Sequence, residues 1–523
     1  MQNERELYDR AFFGHPKPLR GLFFTELWER FSFYGIRPLL ILYMSAMIID
    51  GGLGLDRPTA AAIVGLYAGS MYLITIFGGW IADNWLGQAR SVWYGSMIIA
   101  FGHLSIALTA WFDHLFFYLG LVFIVLGTGL FKTCISVIVG TLYAAQDSRR
   151  DAGFSIFYMG INMGAFISPL LAGLLIQEHG WHWGFGVGGI GMLIALVVFR
   201  FISVPQLQKF DQLNGIESTW QGATNYNPKA PKIVTGFLFV LSILIALIST
   251  GVIQLNIVTL VTYLAFIICL TIAGYFTYLL LFSKSTAKEK KQLLVCLILL
   301  IVAALFWSAF EQKPTTINLF AQDFTDRTIF GFQVPTVWFQ SINALFIIMF
   351  APLMAWLWVK LGRSNKDPSY ITKFIIALFL AAIGFIIMIF ASKAILAGGA
   401  GTLISPLWLV TTILFLTFGE LCLSPVGLST MTKLAPDIIR GQVMGLWFTA
   451  SALGNLVAGL IGGQVSLETV NDLPNLFLRC AIALMLGGFI LWALKKPIIK
   501  LISNHKKDDS ETTTIADQKT SEA

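Results

Sequence analysis

"ELWERFSFYGIR" occupies residues 26–37, inside the first long apolar stretch of the chain. Glu26, Glu29, Arg30 and Arg37 therefore sit in a segment that otherwise reads as membrane-spanning. In hydrocarbon each such group costs about 2.5–3.5 kcal/mol at a helix centre, so charged residues there face a bundle interior or a watery cavity. The stretch predicts a membrane helix with a functional inner face.

The rest of the chain agrees. Its 523 residues are 56% hydrophobic and only 12% charged, with a mean hydropathy of +0.76. A soluble domain would carry about 25% charged residues. Apolar runs long enough to span recur throughout, which predicts an all-α polytopic membrane protein. The alternating pattern of an outer-membrane barrel is absent. No signal peptide is expected, because the opening MQNERELYDRAFFGHPKPLR is polar and charged. Cys134, Cys269, Cys296, Cys422 and Cys480 fall in apolar spans without metal or disulfide spacing and are read as core packing. No metal and no nucleic-acid partner is expected.

Fourteen spans are predicted, near 21–49, 59–83, 91–112, 116–144, 151–177, 183–203, 233–250, 255–282, 292–321, 335–359, 372–392, 404–431, 441–463 and 475–499. An even number places both termini on one side. The loops on that side hold most of the 35 Lys and Arg, whereas the opposite loops hold only Arg57, Arg327 and Lys393. The positive-inside rule then predicts cytoplasmic termini in a cytoplasmic (inner) membrane. Residues 1–203 form a first six-helix bundle and 292–500 a second. Between them, 204–291 hold a polar linker and an extra helical hairpin with no charge in its spans, read as a lipid-facing spacer. Residues 501–523, low in apolar residues, are expected to be a disordered tail.

Two bundles of six joined by a polar linker resemble the major facilitator superfamily. "GGWIADNWLGQAR" (78–90) is similar to that superfamily's loop between its second and third helices, with Gly79, Asp83, Gly87 and Arg90 in register. Such a carrier binds near the midplane, between the halves. The ionisable residues deep in spans are Glu26, Glu29, Arg30, Arg37 and Lys132 in the first half, and Glu311, Lys313 and Glu420 in the second. Glu26 and Arg30, four apart, share a helical face and form an internal pair. Cations dominate the first half and carboxylates the second. That separation suits a zwitterion, and burial suits a carboxylate to proton carriage because it disfavours the charged form.

"ELWERFSFYG" resembles the E-x-x-E-R-F-x-Y-Y-G signature of proton-dependent oligopeptide transporters. "FSIFYMGINMGAFISPLLAG" (154–173), "WFQSINALF", "GELCLSPVGLS" and "GQVMGLWFTASALGN" (441–455) are similar to further motifs of that family, whose bacterial members also carry an extra helical pair. The resemblance implies proton-driven import of di- and tripeptides by alternating access, with a co-transported proton and no cofactor, acting as a monomer in the bilayer. Carried over, it implies proton coupling at Glu26, Glu29, Arg30 and Glu311. The peptide carboxylate would be bound by Tyr34, Arg37 and Lys132, and the amino group by Asn162, Asn343 and Glu420. Tyr72, Trp307, Ser424 and Trp447 would line the substrate site. Two departures are Phe33, where the signature has its first Tyr, and Ala344, where many members have Pro; both bear on substrate preference.

Arg57 follows the first span and Asp323 the ninth, on the side away from the termini. Arg57 is expected to pair there with Asp323, or with Asp326, when that side shuts, as an exposed pair worth roughly 0–1 kcal/mol. "GFGVGGIG" (184–191) follows no strand and reads as close helix packing rather than a dinucleotide loop. His179 and His182 lack further ligands for a metal. A carrier of a simple anion would need no amino-group acceptor, and an enzyme would need a nucleophile with its base, which the spans do not offer.

Overall fold

In the computed structural model the backbone is described for residues 2–521 except 145, 284, 365, 400 and 435–439; the side chains of 2, 428, 432, 433, 440–442, 444 and 502–521 also lie outside the described residues. The helices in chain order are α1 (Gln2–Asp9), α2 (Pro18–Ser45), α3 (Arg57–Ile81), α4 (Gln88–Leu108), α5 (Leu115–Thr141), α6 (Arg150–His179), α7 (Trp181–Val198), α8 (Val204–Asn214), α9 (Ala230–Ser249), α10 (Ile257–Thr277), α11 (Ala287–Phe310), α12 (Asn318–Phe324), α13 (Trp338–Arg363), α14 (Tyr370–Gly398), α15 (Leu407–Leu434), α16 (Arg440–Gly462) and α17 (Leu473–Ser521). A short hairpin, β1 (Thr328–Ile329) with β2 (Phe332–Gln333), caps the side opposite the termini.

Thirteen helical segments among the described residues are long and apolar enough to cross a membrane. α2 is also long enough, at 28 residues, but Arg20, Glu26, Glu29, Arg30 and Arg37 set it apart by composition. The expected fourteen spans are therefore present, and the chain is an integral membrane protein. In hydrocarbon only such helices satisfy their own backbone groups.

Two boundaries differ from the sequence reading. The expected span 292–321 is broken: α11 ends at Phe310, a wide turn covers Lys313–Ile317, and α12 resumes at Asn318. Pro314 causes this, since it lacks an N–H and crowds the preceding residues out of helical geometry. The break leaves Glu311 at the helix end rather than along a regular face. At the other end, backbone helix continues to Ser521 where a disordered tail was expected. No Gly or Pro follows Pro497 to interrupt it, and the side chains beyond 501 lie outside the described residues.

Small residues set the packing within a half. A Cβ on Gly95 would stand 2.7 Å from the Gly127 carbonyl oxygen, and one on Gly127 would stand 2.6 Å from that of Gly95, so α4 and α5 pack backbone to backbone. Gly188 and Gly191 of the "GFGVGGIG" run press against Ile36 and Phe31 of α2, as the helix-packing reading expects. Across the halves, α3 meets α16 and α6 meets α13. Gly65 of α3 and Gly459 of α16 approach so closely that a Cβ on Gly65 would lie 2.9 Å from the Gly459 Cα. These contacts close the side away from the termini.

The inserted hairpin is not simply a spacer. α9 buries only Ala230, but α10 sits across the seam between the halves. Val261 is buried there against Ala62 of α3 and Leu456 of α16. The core-packing reading holds for Cys134, Cys296 and Cys422, while Cys269 lies on the outward face of α10 and is exposed.

Candidate functional site

A cavity of about 390 Å³ lies between the halves. Its walls include Glu26, Arg30, Tyr34, Arg37, Tyr72 and Lys132 from the first half, with Asn162 from α6. Facing them are Trp307, Glu311, Asn343, Glu420, Ser424 and Trp447. Ser136 and Tyr158, also on its wall, are exposed towards the terminal side, so the cavity opens that way. Glu29 is buried behind Arg30. Only Arg57 and Asp323, of the expected residues, lie away at the far seam.

α2 builds the first wall. Arg30 Nε lies 2.8 Å from Glu26 Oε1 and 2.7 Å from Glu29 Oε2, so both carboxylates share one guanidinium. All three are 4% exposed or less. Charges so deeply buried are held by pairing, and such a pair is a poor source of stability against an apolar replacement. Arg30 Nη2 has no hydrogen-bond partner among the described residues, which leaves a donor for something beyond the pair. Phe33, one of the two departures from the family signature, lies between Arg30 and Arg37. Their guanidinium carbons are 5.6 and 5.8 Å from its ring centroid. The absent hydroxyl is thus matched by an aromatic face holding two cations apart.

Pro38 interrupts the hydrogen bonding of α2 just after Arg37, and Arg37 reaches across the seam. Its Nη2 lies 2.5 Å from Glu311 Oε2 and 2.8 Å from Asn455 Oδ1. The group expected to meet a substrate carboxylate is here engaged by two acceptors of the opposite half. Lys132 has no ion-pair partner among the described residues and lies over the Tyr72 ring, 4.2 Å from its centroid. It is the free cation of the first wall.

On the second wall, Asn343 Nδ2 donates to Thr417 Oγ1 at 2.8 Å and to Glu420 Oε2 at 3.3 Å. Glu420 is thereby oriented by one neutral donor, as a carboxylate awaiting a cation would be. Asn162 donates to the Tyr158 carbonyl at 3.0 Å, leaving its own oxygen towards the cavity. Trp307 packs edge-on against Phe310, with centroids 5.3 Å apart. Its indole Nε1 has no partner among the described residues. Lys313, buried beside the Pro314 break, lies over the face of Phe310 at 3.3 Å.

At the far seam, Arg57 bonds Asp323 through Nη1 and Nη2, and Nη1 also donates to the Val465 carbonyl at 2.9 Å. Asp56 starts α3 by accepting from Thr59 N at 3.1 Å, which fixes Arg57 at the helix end. Asp323, not Asp326, is the partner; Asp326 accepts from Thr328 N in the turn before β1. The pair is more enclosed than expected, with the Asp323 side chain only 8% exposed.

The loop at 78–90 is tied both to itself and to the linker. Asp83 accepts from Gln88, whereas Arg90 donates to the Trp220 carbonyl at 2.9 Å and so holds the linker. Gly87, at φ +78°, makes the turn beside Gly222. No group of metal ligands occurs among the described residues, which includes His179 and His182.

Two contributors were missed by sequence reading. Asn455 ends the quoted stretch 441–455, but a neutral amide in an apolar span gave no charge signal. Phe33 was read only as a lost hydroxyl.

Three comparisons bear on this arrangement. A family model described as the POT family matches residues 89–476. The chain is 59% identical over 496 residues to the peptide transporter YePEPT of Yersinia enterocolitica subsp. palearctica, covering 95% of this chain and 97% of that one. It is 36% identical over 517 residues to a di-/tripeptide transporter of Lactococcus lactis subsp. lactis, covering 96% of this chain and all of the other. Among solved structures, a mutant peptide transporter POT in complex with alafosfalin superposes with a TM-score of 0.84 at 36% identity, covering 94% of this chain and 97% of that one.

Proposed function

The chain belongs to the POT family, and on that premise we propose that it is a peptide transporter importing di- and tripeptides together with protons. The observation that carries the reading is the charge arrangement of one cavity. Lys132 is a cation with no ion-pair partner among the described residues on one wall, and Glu420 is a carboxylate held by Asn343 on the other. A short peptide is a zwitterion whose carboxylate suits the first and whose amino group suits the second. Trp307 and Trp447 offer apolar and aromatic surface for side chains between them.

The protein works as a monomer in a bacterial cytoplasmic membrane, with both termini inside. The Lys and Arg bias of the loops supports that orientation. With the termini inside, the cavity of this conformer faces the cytoplasm and the sealed seam faces outward. Transport follows from rocking of the two halves about the midplane site.

The ion pairs supply the coupling. Arg37 is occupied across the sealed seam by Glu311, and Arg30 within α2 by Glu26 and Glu29. A proton arriving at Glu311, or at the Glu26 and Glu29 pair, removes the negative charge and frees a cation. That cation then meets the peptide carboxylate, so proton and peptide enter together. Loss of the proton to the cytoplasm lets the carboxylate recapture its cation and release the peptide.

The test is counterflow of labelled dialanine in proteoliposomes loaded with unlabelled dialanine. Exchange that trialanine competes for, and that nitrate and acetate leave unchanged, supports the reading. Exchange of nitrate with none of dialanine would replace it with an anion carrier.

A further inference from the structure

Arg37 is held by two acceptors of different kinds. Glu311 Oε2 is a carboxylate that can be neutralised by a proton, whereas Asn455 Oδ1 is an amide oxygen that keeps its acceptor strength at every physiological pH. Both bond the same Nη2, at 2.5 and 2.8 Å.

The amide is fixed for this task. Asn455 is 1% exposed, and its Nδ2 donates to the Ser451 carbonyl at 2.9 Å, one turn earlier in α16. That bond directs Oδ1 at Arg37. The residue also stands where the halves pack closely, since a Cβ on Gly65 of α3 would lie 2.7 Å from the Asn455 backbone oxygen. The Arg37 to Asn455 bond therefore crosses the seam beside a close approach of α3 and α16.

We propose that Asn455 is a positioning residue, the proton-insensitive half of a two-part latch on Arg37 that sets the pH at which the far seam opens. When Glu311 is neutral, Asn455 still holds Arg37 and keeps the seam partly pinned and the guanidinium aimed at the cavity. Opening then needs both the proton and the breaking of one neutral hydrogen bond. This rests on the reading of the chain as a proton-coupled carrier and adds the residue that tunes its coupling. The other charged and titratable groups facing Arg37 and Glu311 are Tyr34 on α2, Tyr67 and Tyr72 on α3, Lys132 on α5, Lys313 after α11 and Glu420 on α15. None of them bonds Arg37 across the seam among the described residues.

Two substitutions at this position should act in opposite directions. Asn455→Ala removes the neutral bond while keeping the Cβ and the α3 to α16 approach. The seam then opens at higher pH. Asn455→Asp gives Arg37 a second carboxylate that persists after Glu311 takes a proton, so opening demands more acid. The expected displacement of the midpoint is about one pH unit each way, the size of one hydrogen bond to a charged group.

The readout needs no peptide. Spin labels at Ile49→Cys and Leu467→Cys, exposed on the far side of the first and second halves, report seam opening across a pH titration of the full chain in lipid nanodiscs. The exposed Cys269 is replaced by Ser in this background. Opposite shifts for the Ala and Asp variants confirm the latch. An unchanged midpoint in both, shifts of the same sign, or a wild-type seam that opens at no pH would overturn it. Failure of dialanine exchange alongside a normal opening titration would sink the transport reading and leave the latch standing.

Discussion

Arg37 and Glu311 meet across the seam between the two halves, their charged groups 2.5 Å apart and both shielded from solvent. One belongs to α2 and the other to the helix end that Pro314 creates after α11. A charge pair in that place is broken whenever the far side opens. Its breaking is therefore tied to the transport cycle rather than to folding alone.

Glu311→Gln tests this tie. The amide still accepts a hydrogen bond from Arg37 but cannot exchange a proton. Uptake driven by a proton gradient should fall at least about tenfold, the worth of one charge-assisted hydrogen bond. Counterflow, which needs no net proton movement, should survive. Parallel assays of both modes in proteoliposomes make the check, and equal loss of both would remove Glu311 from the coupling.

Glu420 is assigned to the peptide amino group because the neutral Asn343 amide orients it and no cation bonds it among the described residues. Glu420→Gln should weaken competition by dialanine about tenfold or more. N-acetyl-dialanine, which has no ammonium group, should compete equally poorly against wild type and variant. A variant that discriminates between the two peptides as well as wild type does would place the amine elsewhere.

The Arg57 and Asp323 pair should behave as one unit. Arg57→Gln and Asp323→Asn should each destabilise the sealed state, and the double variant should cost little more than either alone. Partial burial puts the coupling at about 1–3 kcal/mol, above an exposed pair. A double-mutant cycle on thermal unfolding in detergent measures it, and strictly additive single effects would show that the two residues do not act together.

On the terminal side, His15 Nδ1 bonds Tyr143 Oη at 2.9 Å beside Arg149, which bridges Asp9 and Asp147. Burial holds the His15 imidazole below its usual range, and the Arg149 charge adds to this. The unfolded chain then binds a proton more readily than the folded one. Stability from this group is complete above the unfolded value near 6.5 and is lost as pH falls through the lower folded value. Thermal unfolding should therefore show a drop below about pH 6.5 that is smaller in His15→Gln. An identical acid profile in the variant would contradict the assignment.

Much of this was legible in the sequence because hydrocarbon leaves the chain few choices. Long apolar runs had to be helices, and Glu26 with Arg30 at a spacing of four had to share a face. Each deep charge had to find a partner or a cavity. The parts that were not legible are those where no charge or period speaks. Asn455 is neutral and sits in an apolar span. α10 is apolar all round, so nothing in its pattern says that it lies across α3 and α16. Asp323 and Asp326 are three residues apart at a helix end, and only the turn after α12 decides which one faces Arg57. The break after Phe310 did have a signal in Lys313 and Pro314, but a hydropathy reading passes over it.

The most direct measurement is accumulation of labelled dialanine by proteoliposomes under an inward proton gradient, before and after a protonophore. The account predicts uptake above the external concentration that collapses when the gradient is removed, and that is lost in Glu420→Gln. Uptake that merely equilibrates, or that ignores the protonophore, would contradict proton coupling. No dialanine uptake at all would contradict the peptide assignment itself.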